Sequence, residues 1–115
     1  MSLARALLLE TPDRTEGTHA YHTLRALGDD VARACAVFIW PAEHRGTDTG
    51  GRRGILHTKA AVADGRWAFL SSANLTEYAF TVNMELGVLF HGGHVPREIE
   101  EHFDRLIESG VLVRV

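Results

Sequence analysis

Apolar residues in this chain come in short runs separated by polar, glycine-rich stretches. "RALLLET" (Arg5–Thr11) and "ACAVFIW" (Ala34–Trp40) are continuous apolar runs bordered by turn residues. That pattern predicts strands covered on both faces. Between them, "HAYHTLRAL" (His19–Leu27) puts Ala20, Leu24 and Leu27 on one helical face, with Gly28 placed to stop the helix. "LHTKAAVA" and "RWAFLS" flank Asp64 and Gly65, which predicts a hairpin closed by a tight turn. "NLTEYAF" (Asn74–Phe80) predicts a short helix capped by Asn74 or Thr76, and "MELGVLF" (Met84–Phe90) a further strand. "VPREIEEHFDRLIES" is the clearest helix. Pro96 lies in its first turn, Gly110 just past its end, and Ile99, Phe103, Leu106 and Ile107 share a face. "VLVRV" closes the chain as a strand. The order β-α-β-β-β-α-β-α-β predicts an α/β fold with a mixed β-sheet sandwiched by helices.

One segment escapes periodicity. "PAEHRGTDTGGRRG" (Pro41–Gly54) holds four glycines and three arginines, and it reads as a long mobile loop. Arg45, Arg52 and Arg53 make it a candidate substrate loop, although a solvated loop is the commoner outcome for such a stretch.

The length of 115 residues suggests a single domain spanning 1–115. "MSLARALLLE" enters a strand almost at once, which is compatible with a piece cut from the C-terminal part of a longer protein. The net charge of -3 provides no strong basic field, so any nucleic-acid contact must be local. The lone Cys35 sits in an apolar run and is expected to be a buried, inert thiol, in a chain expected to be cytoplasmic. No apolar run approaches the roughly 20 residues of a transmembrane segment.

The stretch Ile55–Glu77 places reactive side chains inside a strand-like region, where a polar group is costly unless satisfied or used. Residues two apart on a strand point the same way, so His57 and Lys59 share a face above Ala61 and Ala63. Thr58, Ala60 and Val62 point the other way, into packing. An imidazole beside an ammonium suits a phosphate: lysine binds its oxygens, and histidine attacks phosphorus or transfers protons. Ser72 and Asn74 end the return strand near a helix start, where side chains and backbone N–H groups can hold an anion. Singly, each of these residues is more often structural. His91 and His94 are too few for a metal site, so no metal or other cofactor is expected. Trp40 and Trp67 are expected in the core or at a dimer interface, with Trp40 able to stack a base.

Jointly, the spacing of His57, Lys59, Asp64, Ser72 and Asn74 resembles the HKD signature of the phospholipase D superfamily. The family usually has glycine where this chain has Ser71. Its downstream Asn-x-Glu is matched by Asn83 and Glu85. The resemblance extends over nearly the whole chain as one half-domain. "IWPAEHRG", "SSANLTEYAF" and "NMELGVLFHGG" further resemble the phospholipase D-like component of the bacterial DISARM anti-phage system, which would imply defence-system partner proteins.

The superfamily resemblance implies metal-independent phosphodiester hydrolysis through a phosphohistidine. With one HKD motif, the site would need a second copy, as a homodimer. His57 would be the nucleophile in one subunit and the general acid in the other. Lys59, Ser72 and Asn74 would bind phosphate, Glu85 would orient His57, and Asp64 would be structural. The substrate would be the DNA or RNA backbone. The alternatives are a phospholipase acting on phospholipid head groups, and a catalytically inactive nucleic-acid-binding or interaction module of a defence complex.

Overall fold

A computed structural model describes residues 6–9, 28–74 and 81–115. The helix expected over His19–Leu27 lies outside these residues, as does all but Asn74 of the helix expected over Asn74–Phe80. The chain forms two compact units, residues 1–56 with 106–115, and residues 57–105.

In the first unit, β1 (Ala6–Leu9) runs parallel to β2 (Ala36–Ile39), with Ala6 opposite Ala36. The two-residue β6 (Val113–Arg114) lies antiparallel on the other side of β2. Val37 and Leu112 are the buried centre of this unit. A six-residue helix, α1 (Asp29–Ala34), precedes β2. Gly28, expected to end an earlier helix, stands at the N-cap of this one. The helix is too short for an apolar period to register, but Asp29 and Asp30 in its first turn and Arg33 in its last complement its dipole. Cys35, expected to be buried, is half-buried just after α1.

The segment expected to be a mobile loop is folded. A 3₁₀ turn (Ala42–His44) leads into a small hairpin. Its neck is closed by Gly54 N–H donating to Gly46 O at 2.9 Å, and Thr47 and Arg53 pair across it. At its tip, Asp48 Oδ1 accepts the N–H groups of Gly50 (2.8 Å) and Arg52 (2.9 Å). An aspartate that takes over backbone bonding in this way orders a turn without any apolar packing. Hydrophobic periodicity is blind to such a turn.

The second unit is an antiparallel sheet of β3 (Ala60–Ala63), β4 (Trp67–Ser71) and β5 (Gly87–His91), in that order. The β3–β4 turn follows the Asp-Gly signal. Asp64 (φ 55) and Gly65 (φ 60) are both left-handed, and Arg66 N–H donates to Ala63 O at 3.0 Å, as a type I′ turn requires. The long helix α2 (Val95–Glu108) matches the sequence pattern within a residue. Its Val95, Ile99, His102 and Phe103 line an open groove of about 390 Å³ together with Thr58, Ala60 and Leu70. Thr58 and Ala60, expected to point into packing, are exposed on this open groove. Gly87 is needed for close approach: a Cβ there would meet the Phe69 ring at 2.7 Å.

The α/β class holds: among the described residues one three-stranded sheet, β1-β2-β6, is mixed and a second, β3-β4-β5, is antiparallel. The pattern of apolar runs identifies strands. It carries no information on which edges pair.

Candidate active site

His57, Lys59, Ser72, Asn74, Asn83 and Glu85 all belong to the second unit. β3 begins only at Ala60, so His57 and Lys59 lie on the extended lead-in rather than in the strand. The ladder continues to Lys59 all the same, because its carbonyl accepts Ser71 N–H at 3.1 Å. One step further along, Ser72 N–H donates to Leu86 O at 3.0 Å, and Leu86 N–H donates to Ser72 Oγ at 3.1 Å. At the end of this sheet the segments that carry Lys59, Ser72 and Glu85 therefore adjoin, with Lys59 opposite Ser71 and Ser72 opposite Leu86.

Two side-chain pairs decorate this end of the sheet. The Lys59 ammonium donates to His57 O at 2.8 Å and lies 3.4 Å from His57 Nδ1. Ser72 Oγ donates to Glu85 Oε2 at 2.5 Å, a short, charge-assisted bond, while Asn83 Nδ2 approaches Glu85 Oε1 at 3.4 Å. Both oxygens of Glu85 are thus engaged, and its bond to Ser72 orients that hydroxyl. The family resemblance implied Glu85 on His57, and Ser72 on phosphate or the histidine. A bond between residues 72 and 85 depends on strand register, which spacing along the chain does not reveal. Asn74 is exposed, two residues past Ser72. The departure at Ser71 has a visible effect: its hydroxyl accepts Ala73 N–H at 3.0 Å, so a side chain braces the turn where the family has glycine. Asp64 stays in the hairpin turn, as expected for a structural residue.

The arginines of the first unit divide. Arg45 is only 6% exposed and turned inward. It donates to Trp40 O from Nε (2.9 Å) and Nη2 (2.6 Å), and to Gly54 O from Nη1 (3.2 Å). Its guanidinium lies 5.3 Å from the Trp40 ring centroid, a cation–π contact. Arg45, expected as a substrate-loop residue, is thus turned onto main-chain carbonyls rather than out to solvent. Arg52 and Arg53 are exposed. Trp67 stacks flat on His91, with ring centroids 3.7 Å apart and an interplanar angle of 9°. With Trp67 41% and Phe69 46% exposed, that aromatic face is a surface rather than a core.

Residues 8–107 match the model of the family described as "Cardiolipin synthase, PLD-like domain". The chain belongs to the phospholipase D superfamily. It is 27% identical over 87 residues to a cardiolipin synthase of Oceanobacillus iheyensis, covering 76% of this chain and 16% of that protein. It is 32% identical over 58 residues to cardiolipin synthase B of Escherichia coli, covering 50% of this chain and 14% of that protein. It is 37% identical over 60 residues to the human 5'-3' exonuclease PLD4, covering 51% of this chain and 12% of that protein. The phospholipase D-like chain thus spans about a sixth or less of these relatives' lengths. Its fold is similar to NucT from Helicobacter pylori, with a TM-score of 0.71, 18% identity, and coverage of 98% of this chain and 66% of that one. No helix among the described residues is long and apolar enough to cross a membrane.

Proposed function

We propose that this chain hydrolyses phosphodiesters of nucleic acid without a metal, through a phosphohistidine, in a site completed by a second copy. What supports this reading is that the Lys59–His57 and Ser72–Glu85 pairs stand on adjoining segments at one end of the second sheet. In one subunit, His57 Nε2 attacks phosphorus and the bond to the leaving oxygen breaks. His57 of the second copy gives that oxygen its proton. Water then attacks the phosphohistidine, the P–N bond breaks, and the water's proton passes to the second His57. Lys59 and Asn74 hold the phosphoryl oxygens as charge builds on them, joined by Ser72 when its single proton turns from Glu85 to the phosphate. Glu85 fixes the Ser72 hydroxyl and, when the ring turns towards it, accepts from His57 Nδ1 so that Nε2 is free to attack.

The need for a second copy has support in the surface beside the site. Met84 and Leu86, which flank Glu85, are 100% and 78% exposed. Apolar side chains beside a polar site suit an interface. The similarity to cardiolipin synthases favours a second reading, action on phospholipid head groups.

Turnover of bis-p-nitrophenyl phosphate and of plasmid DNA in EDTA, abolished by His57→Ala, is the expected result. Loss of activity in EDTA excludes the metal-free mechanism. Head-group release from phosphatidylglycerol vesicles without cleavage of DNA selects the lipid reading. A folded dimer inert on all three substrates selects a binding module.

A further inference from the structure

We propose that Arg45 is a positioning residue, a buried strut that holds the Gly46–Gly54 hairpin so that Arg52 and Arg53 are presented to the phosphates of a nucleic-acid strand. This rests on the nucleic-acid reading above, though not on turnover. The guanidinium bonds the carbonyls of Trp40 and Gly54, one on each side of the hairpin, and so ties its two ends together. The indole of Trp40 closes the same neck: its Cη2 lies 3.5 Å from where a Gly54 Cβ would sit, and the guanidinium lies over the ring. At the tip, Asp48 fixes the turn through Gly50 and Arg52. The result is a short ribbon braced at both ends that exposes two adjacent arginines.

A braced ribbon loses little entropy on binding, and the planar fork of arginine matches a phosphodiester oxygen pair. The ribbon, "GTDTGGRRG", has no apolar residue to enter a bilayer, which favours a polynucleotide over a lipid surface. Three residues after Gly54 the chain reaches His57.

The test is anisotropy of a fluorescein-labelled oligo-dT across a sodium chloride series in EDTA, in the His57→Ala background so that the probe stays intact. Removing one arginine–phosphate pairing lowers the slope of log K against log salt by about 0.7 for a single strand. Arg52→Ala with Arg53→Ala should remove one or two such pairings. Arg45→Met, which keeps the side-chain stem, should lower the slope equally although Arg45 touches no phosphate, and should add nothing to the double variant. Arg45→Lys, which keeps the charge but not the two-sided fork, should restore only part of the slope. Arg33→Ala, a control at an exposed arginine of α1, should leave it unchanged. The proposal is overturned if the oligonucleotide does not bind, or if the Arg52/Arg53 variant keeps the wild-type slope. It also fails if Arg45→Met lowers Tm with the slope intact, or if Arg33→Ala lowers the slope as much. Binding to phosphatidylglycerol vesicles but not to oligo-dT, abolished by the Arg52/Arg53 variant, would equally overturn it. Should Arg45→Met fail to fold by circular dichroism, Trp40→Phe tests the same neck, since it removes part of the indole and keeps the arginine.

Discussion

The bond between Ser72 Oγ and Glu85 Oε2 makes two side chains into one unit. Ser72→Ala removes both the donor to Glu85 and the oxygen that accepts Leu86 N–H, and should reduce turnover about 100-fold, the order seen when one transition-state donor is removed. Glu85→Gln keeps an acceptor but loses the charge, so its effect should be smaller. The double variant should be little worse than Ser72→Ala alone, because the two act together. Additive losses would mean that Glu85 acts mainly elsewhere, most simply on His57. At Gly87 the constraint is steric. An added methyl meets Phe69 at 2.7 Å and Leu70 O at 3.2 Å. Gly87→Ala should therefore cost about 1 kcal/mol, a fall in Tm of about 4–8 °C by calorimetry. An unchanged Tm would show that the half-exposed Phe69 ring swings aside freely.

The β3–β4 hairpin was legible because its turn chemistry is local. Asp-Gly supplies two residues that tolerate positive φ, and strand alternation does the rest. Gly65→Val places a β-branched residue at φ 60 and should cost about 1–3 kcal/mol, read as a lower urea midpoint at unchanged m-value. A midpoint equal to wild type would mean that the turn relaxes out of type I′. Helix α2 was legible for a similar reason, since Pro96, Gly110 and a single apolar face agree. The Pro41–Gly54 segment was not. Its order comes from Asp48 and Arg45 bonding to main-chain groups, and a sequence pattern cannot say whether a polar side chain turns to solvent or back to the backbone.

For the molecule as a whole, a site that uses His57 twice must be shared. Light scattering on a sizing column should show a dimer at high concentration, and a strict monomer that retains turnover would overturn the shared site. Wild type mixed one-to-one with His57→Ala, allowed to exchange subunits, should keep roughly one quarter of the activity, the fraction of dimers with both histidines intact. One half would mean that each copy works alone. Placing Glu at both Met84 and Leu86 should weaken the dimer without unfolding the chain, since both side chains are exposed.

The chemical inventory and its order are properties of the sequence alone: His57 two residues from Lys59, an Asp-Gly turn, then Ser72, Asn74 and the Asn83–Glu85 pair. Such motifs are readable because they lie within local stretches where the strand period of two sets which side chains share a face. Tertiary structure decided the pairings. Strand register joined Ser72 to Glu85, edge pairing divided the strands between two sheets, and an inward turn set the Arg45 guanidinium on the carbonyls of Trp40 and Gly54. Each of these is a choice among partners far apart in the chain, fixed by hydrogen-bond satisfaction and burial in three dimensions.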